Sequence, residues 1–208
     1  MKKNLISAAM VCAALLLLAS CAPKKPGFER NNFLVETQRQ LPAQDRLVNR
    51  PLTVRIFSVS PIYQGKEIIY RTPRNRVHSD FYNHYFVLPG PMITDSVKSW
   101  FRDSGLFASV VPVSSHLDTD LVLEGAINAL YADYTDQHQP RAVLDISFLV
   151  LEFKGVEYEI VFHKQYRKET QLTTREPVQL INGLNKALNH ILTLVEEDMA
   201  IKLAREEL

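Results

Sequence analysis

The side chains able to do chemistry in this sequence are few and gathered. Two cysteines, Cys12 and Cys21, stand near the front of the chain, the second directly after Leu18, Ala19 and Ser20. A thiolate serves alkylation, disulfide exchange or metal binding. His78, Asp80 and His84 offer imidazole and carboxylate ligands within seven residues, and His116 with Asp118 and Asp120 forms a second such set. Neither spacing matches HExxH or an EF-hand loop, and the chain contains no GxSxG elbow and no GxxxxGK[ST] phosphate loop. Polar residues solvated in loops are the simpler reading of both sets. The expectation is therefore a protein that is not an enzyme, with no catalytic residue, no metal and no diffusible cofactor.

The cysteine at position 21 is best understood from what precedes it. Lys2 and Lys3, an apolar stretch from about Ile6 to Leu18 and then small residues are the three parts of an export signal. The stretch is shorter than the roughly 20 apolar residues that cross a bilayer core, and a proline-rich polar segment follows it. Leu18-Ala19-Ser20-Cys21 resembles the lipobox of bacterial lipoproteins. That resemblance implies a diacylglycerol on the Cys21 thiol, cleavage after Ser20, and an acyl chain such as palmitate on the new amine. Cys12 lacks the small residues before it. The competing reading is an ordinary signal peptide with an incidental cysteine. Each buried methylene adds about 0.8 kcal/mol, so three chains hold a protein where one binds only marginally. Residue 22 is alanine, not the aspartate that retains lipoproteins at the inner membrane, so the resemblance implies the periplasmic face of the outer membrane.

Removing Lys2 and Lys3 takes Lys+Arg from 24 to 22 against 23 acidic residues, a formal charge of −1. Bulk charge thus recruits neither nucleic acid nor anionic lipid. No cysteine beyond Cys21 remains, so the fold must hold by packing, without disulfides. Residues 22–50 are polar, carry several prolines and show no sustained periodicity. They read as a flexible tether spanning roughly 30 Å on average and at most about 90 Å. The island Phe33, Leu34 and Val35 is the one piece expected to pair with the domain, as an edge strand.

The domain proper, residues 51–208, is long enough for one hydrophobic core. "LTVRIFSVS" and "EIIYR" read as strands, "HSDFYNHYFVLPG" as partly extended, and "LFASVVPV" as a short strand. Pro91 fits the first position of a helix with Ile93, Val97, Trp100 or Phe101, and Ser104 on one face and Gly105 as its stop. Three long strand-like runs follow with turn-length breaks. In one of them Val156, Tyr158, Ile160 and Phe162 alternate with Glu157, Glu159 and Val161, predicting that the first set faces the core. In another, Ala142, Leu144, Ile146, Phe148 and Val150 share a face, while Leu149, Leu151 and Phe153 load the other, marking either a covering element or a protein contact surface. From Pro177 a long apolar stripe, Ile181, Leu184, Leu188, Ile191, Val195 and Met199, recurs at helical spacing. The prediction is one α+β domain: a largely antiparallel sheet of about five to six strands, with two main helices, about 91–104 and 177–204, packed on one face. Signal peptide 1–20 and the lipidated N-terminus and linker, 21–50, precede it.

Four stretches carry a broader resemblance: "LTVRIFSVSPIYQGKEIIYRT", "SDFYNHYFVLPGPMITDSVKSWFRDSGLFASVV", "DLVLEGAINALYADYTD" and "PRAVLDISFLVLE". In this order, over about residues 50–205, they resemble the ABC-type transport auxiliary lipoprotein family, accessory lipoproteins of MCE-type and paraquat-inducible-like lipid transport systems. The resemblance implies a non-catalytic, periplasm-facing subunit that docks on an MCE-domain protein and links it to the outer membrane. The long polar stretch before Leu52 departs from the family pattern. Tyr70 and Arg71 stand at the family's tyrosine-arginine position, and Phe81, Tyr82, Tyr85 and Phe86 precede the first helix. Tyrosine offers an apolar face with a polar tip and arginine a planar fork, which suits a carboxylate or a partner surface. The plainer alternative has Arg71 ending a strand or neutralising Asp80, with the aromatics filling core. The candidate partner-binding residues are therefore Tyr70, Arg71, Tyr82, Tyr85, Leu149 and Leu151, the last two also as contacts of a homo-oligomer matched to the ring symmetry of MCE proteins. A lipoprotein of lipopolysaccharide or secretin assembly is the alternative role.

Overall fold

The computed structural model describes residues 30–43, 48–117 and 119–204. The expected signal segment, Cys21 and Asp118 lie outside the described residues. Nine strands form one curled mixed sheet: β1 (Asn31–Phe33), β2 (Val48–Val54), β3 (Ser58–Val59), β4 (Glu67–Thr72), β5 (Arg76–Tyr85), β6 (Phe107–Pro112), β7 (Leu121–Asp133), β8 (Arg141–Phe153) and β9 (Tyr158–Gln171). Two helices, α1 (Pro89–Ser104) and α2 (Pro177–Ala204), complete a single α+β domain. The strand count exceeds the expected five to six, and two of the additional strands are short: β1, three residues ending at the Phe33 island, and β3, two residues split off from "LTVRIFSVS".

The long runs 121–133, 141–153 and 158–171 form antiparallel ladders, β7 with β8 and β8 with β9. The other edge of β7 takes three short strands in succession, all parallel: β2 at Leu121–Leu123, β3 at Ala126–Ile127 and β4 at Ala132–Asp133. β4 turns back into β5, β6 adds beside β2, and β1 adds beside β5. The parallel share arises because "LTVRIFSVS" is not one strand. β2 stops at Val54, Ile56 points to solvent and Phe57 turns into the core. There the Phe57 amide donates to Thr94 Oγ1 at 2.9 Å, and the ring meets Phe148 edge-on at 5.6 Å. Gly125 of β7 makes the room, since a Cβ there would lie 2.2 Å from the Phe57 ring.

Both helices follow their stripes. Ile93, Val97, Trp100, Phe101 and Ser104 of α1 are buried, and so are all six stripe residues of α2. Fully burying each large apolar side chain contributes roughly 1.5–3 kcal/mol. α1 starts two residues before the expected Pro91, at Pro89. Leu88 is held extended ahead of it, and Pro91 falls in the first turn, whose amides have no intrahelical acceptor. Gly105 ends the helix at φ 73, in the left-handed region that a glycine enters without a Cβ clash. Ala142, Leu144, Ile146, Phe148 and Val150 form the core face of β8.

Two readings need correction. Val156, Tyr158 and Ile160 are 93%, 48% and 66% exposed, whereas Val161 and Phe162 are both buried. The ladder shifts register here: Val150 pairs with Phe162 but Leu151 with Ile160, leaving Val161 as an extra residue. A bulge reverses the alternation, so the upstream set faces outward. The second concerns the segment read as tether. Besides β1, Val35 is fully buried and Glu36 N donates to Asn185 Oδ1 of α2 at 3.0 Å. Arg39 Nε and Nη2 grip the Glu196 carboxylate of α2 at 2.9 and 2.8 Å, and Arg39 also donates to carbonyls of Leu41, Pro42 and Asp103. Trp100 Nε1 of α1 donates to the same carboxylate at 2.7 Å. Residues 31–42 are therefore a strap across both helices, not part of a flexible tether. The domain also begins before residue 51, since β2 starts at Val48.

Candidate functional site

β4 and β5 position most of the candidate residues. Glu67 pairs with His84 and Ile69 with Ser79, so one residue of β4, Ile68, faces four of β5, Asp80 to Asn83. The excess residues bow out as a wide bulge. Asp80 fastens it: its carboxylate accepts from the Tyr82 and Asn83 amides at 2.8 and 2.9 Å, from Asn83 Nδ2 at 2.9 Å and from the Tyr70 hydroxyl at 2.6 Å. Burial pushes the Asp80 carboxyl up, but these four donors outweigh it and hold it below the ordinary value. Burial, then the Asp80 acceptor, pushes the Tyr70 phenol up. Held this way, the bulge projects Phe81, 66% exposed, and Tyr82, 39% exposed, away from the sheet. Their rings meet edge-on at 5.1 Å, and the Arg30 guanidinium lies 5.3 Å over the Phe81 ring.

Tyr70 and Tyr82 are thus joined through Asp80. Tyr85 is not part of this surface. It is 1% exposed, its hydroxyl is buried without a hydrogen-bond partner, and burial pushes its phenol up. It belongs to the core, because Phe33 of β1 covers the position beside it.

Arg71 does not neutralise Asp80. It lies opposite Val77, and its guanidinium stacks 4.3 Å over the Tyr131 ring of β7 while donating to the Tyr63 hydroxyl at 3.3 Å. Tyr63 and Tyr131 are stacked, 5.9 Å apart and nearly parallel, and Arg167 of β9 donates to the Tyr131 hydroxyl at 3.3 Å. Alongside, Tyr70 stacks on Tyr134, whose phenol burial pushes up to about 12. Arg71 opens onto a surface cleft of about 330 Å³ lined by Asn75, Arg76, Asp133 and Thr135. Burial raises the Asp133 carboxyl, but the Thr135 hydroxyl and amide, with Arg141 and Arg71, hold it low. At the end of β7 the tyrosines Tyr63, Tyr131 and Tyr134 are buried, and Arg71 is exposed beside them. Tyr63, Tyr131, Tyr134 and Arg167 were not singled out from the sequence. The one available signal was the tyrosine pair of "LYADYTD" ending a strand beside the Arg71 strand.

Leu149 and Leu151 stand on the opposite end of the sheet, on the face away from the helices, and are half-buried. Leu149 pairs with Glu124 and His163, and Leu151 with Val122 and Ile160. With exposed Phe153, Tyr158 and Ile160 they make an apolar patch that no element of the described structure covers. His78, His84 and Asp80 do not converge on a common point: Asp80 is committed to Tyr70 and Asn83, and His78 pairs across from Tyr70. Among the described residues no group of three or more His, Cys, Asp or Glu gathers as a metal site, and no helix is long and apolar enough to cross a membrane.

Solved structures share this fold. The XCC0632 protein of Xanthomonas campestris, described with family DUF330, superposes with a TM-score of 0.70 at 18% identity, over 85% of this chain and 97% of its own. An uncharacterised protein gives 0.60 at 15% identity, covering 79% and 99%. The CT253 protein of Chlamydia trachomatis gives 0.52 at 6% identity, covering 75% and 98%. At these identities the likeness is one of fold. No protein-family model matches the chain, and neither does any curated protein.

Proposed function

We propose that this chain is a non-catalytic, lipid-anchored accessory subunit of an MCE-type ABC lipid transport system. It is held by acyl chains on Cys21 at the periplasmic face of the outer membrane and docks on the MCE-domain protein. The observation that carries the reading is the ordered resemblance over about residues 50–205, four stretches that supply β2 to β8 and α1. The arrangement of side chains supports a binding role. Arginine stacks on tyrosine at one end of β7, an apolar sheet patch lies at the other, and the Asp80 carboxylate is committed to Tyr70, Tyr82 and Asn83. Arg71, held by its stack on buried Tyr131 and its bond to buried Tyr63, is the anchor offered to a partner. Leu149 and Leu151 are the surface for further copies of the chain or for the ring of the partner.

Pulldown from gently solubilised envelopes tests this. Recovery of an MCE-domain protein with its permease and ATPase is the expected result. Repeated recovery of a lipopolysaccharide- or secretin-assembly barrel instead would assign the chain to that other role.

A further inference from the structure

The strap shortens the leash on the domain. If Cys21 carries the acyl chains, as the proposed function holds, only nine residues, Ala22 to Arg30, separate the anchor from the Arg30–Phe81 stack. Nine extended residues reach at most about 30–32 Å. The bulge that carries Phe81 and Tyr82 is therefore confined near the headgroups, and it stands at the root of the leash, because β1 runs parallel to β5 with Asn31 beside Asn83.

That end of the domain has the chemistry of a membrane interface. Phe81 and Tyr82 are exposed aromatics on a fastened bulge, and the carboxylate beneath them, Asp80, is consumed by four donors. Arg30 lies over the ring, and the leash itself supplies Lys24, Lys25 and Phe28 against one acid, Glu29. Aromatic rings sit at the headgroup level, and clustered cations near them favour anionic lipid. We infer that the Asp80–Asn83 bulge, with Arg30, seats on the headgroup layer of the membrane that holds the anchor, fixing how the domain is turned toward its partner. This inference rests on the acylation of Cys21.

Fluorescence of the acylated mature protein in phosphatidylethanolamine and phosphatidylglycerol vesicles with brominated acyl chains tests it. The single native tryptophan, Trp100, is 2% exposed and serves as an internal standard. A Phe81→Trp protein is expected to lose its added emission to the bromines. A Val156→Trp protein, with its probe on the fully exposed β8–β9 turn beyond the far end of β7, is expected to keep it. Vesicle flotation of wild type and Cys21→Ser reads the anchor separately. Flotation of wild type with no quenching at residue 81, or equal quenching at 81 and 156, overturns the seat while the anchor stands. Wild type that fails to float overturns the anchor and the seat with it.

Discussion

Replacing Arg39 with alanine distinguishes a strap from a tether. The Arg39 and Glu196 side chains are 2% and 1% exposed and joined by two charge-assisted bonds, with Trp100 donating to the same carboxylate. Removing one member of a buried pair leaves the other charge desolvated and costs about 3–5 kcal/mol. With a urea slope of about 2 kcal/mol/M, the unfolding midpoint of the Cys21→Ser mature chain should fall by about 1.5–2.5 M at unchanged slope. A residue on a solvated tether would instead cost within about 0.5 kcal/mol. The Arg39→Met/Glu196→Met protein should lose less than the two single changes summed, because neither charge is then stranded. A midpoint shift for Arg39→Ala below about 0.3 M would refute the buried clamp and restore residues 31–42 to the linker.

Other expectations follow from the same geometry. Gly125→Val forces a side chain into the Phe57 ring and should cost at least about 1–3 kcal/mol by chemical denaturation, an overpacking effect that Phe57→Ala in the same chain partly relieves. Tyr70→Phe removes one of the four donors holding Asp80 and should cost about 1–2 kcal/mol, with faster amide exchange at Tyr82 and Asn83 as its local signature. The carboxyls of Asp80, Asp133, Glu152 and Asp198 are all held below their ordinary values of 3.8 or 4.5. The stability they add is complete above those values and is lost as the pH falls through the lowered ones, so acid unfolding should begin below about pH 4.5 and Asp80→Asn should flatten it. Gly105→Ala should cost about 1–2 kcal/mol for placing a Cβ in the left-handed region, read as a lower thermal midpoint.

What could be read in advance depended on how local the cause was. The stripe from Ile181 to Met199 and the stop at Gly105 are set by neighbours three or four residues away, and both helices appear where those signals lie. Val35 and Arg39 have partners 57 and 157 residues away, Met92 and Glu196, so the apolar island at Phe33–Val35 signals a contact with the domain but a lone arginine beyond it carries no pattern. Val161 shows the same limit within a strand: a single bulged residue inverts a period of two, and nothing in "VEYEIVF" marks which residue bulges. At the site, Tyr70 and Arg71 were visible but their partners were not. Adjacency along the chain suggested Asp80 for Arg71, whereas the β4–β5 register gives Asp80 to Tyr70 and turns Arg71 onto Tyr131 of a third strand. Among the aromatics, the bulge lets Phe81 face out although Tyr85, four residues on and so on the same face of an unbroken strand, faces in.

The clamp between Arg39 and Glu196 also sets an order of assembly. A segment near the front of the described chain finds its seat on α2, which is made after every strand, so the structure closes only when that helix is present. Bridging so wide a sequence gap late in folding slows the final step. Until Glu196 is in place Arg39 has no carboxylate to close on, so the strap is the last piece to lock.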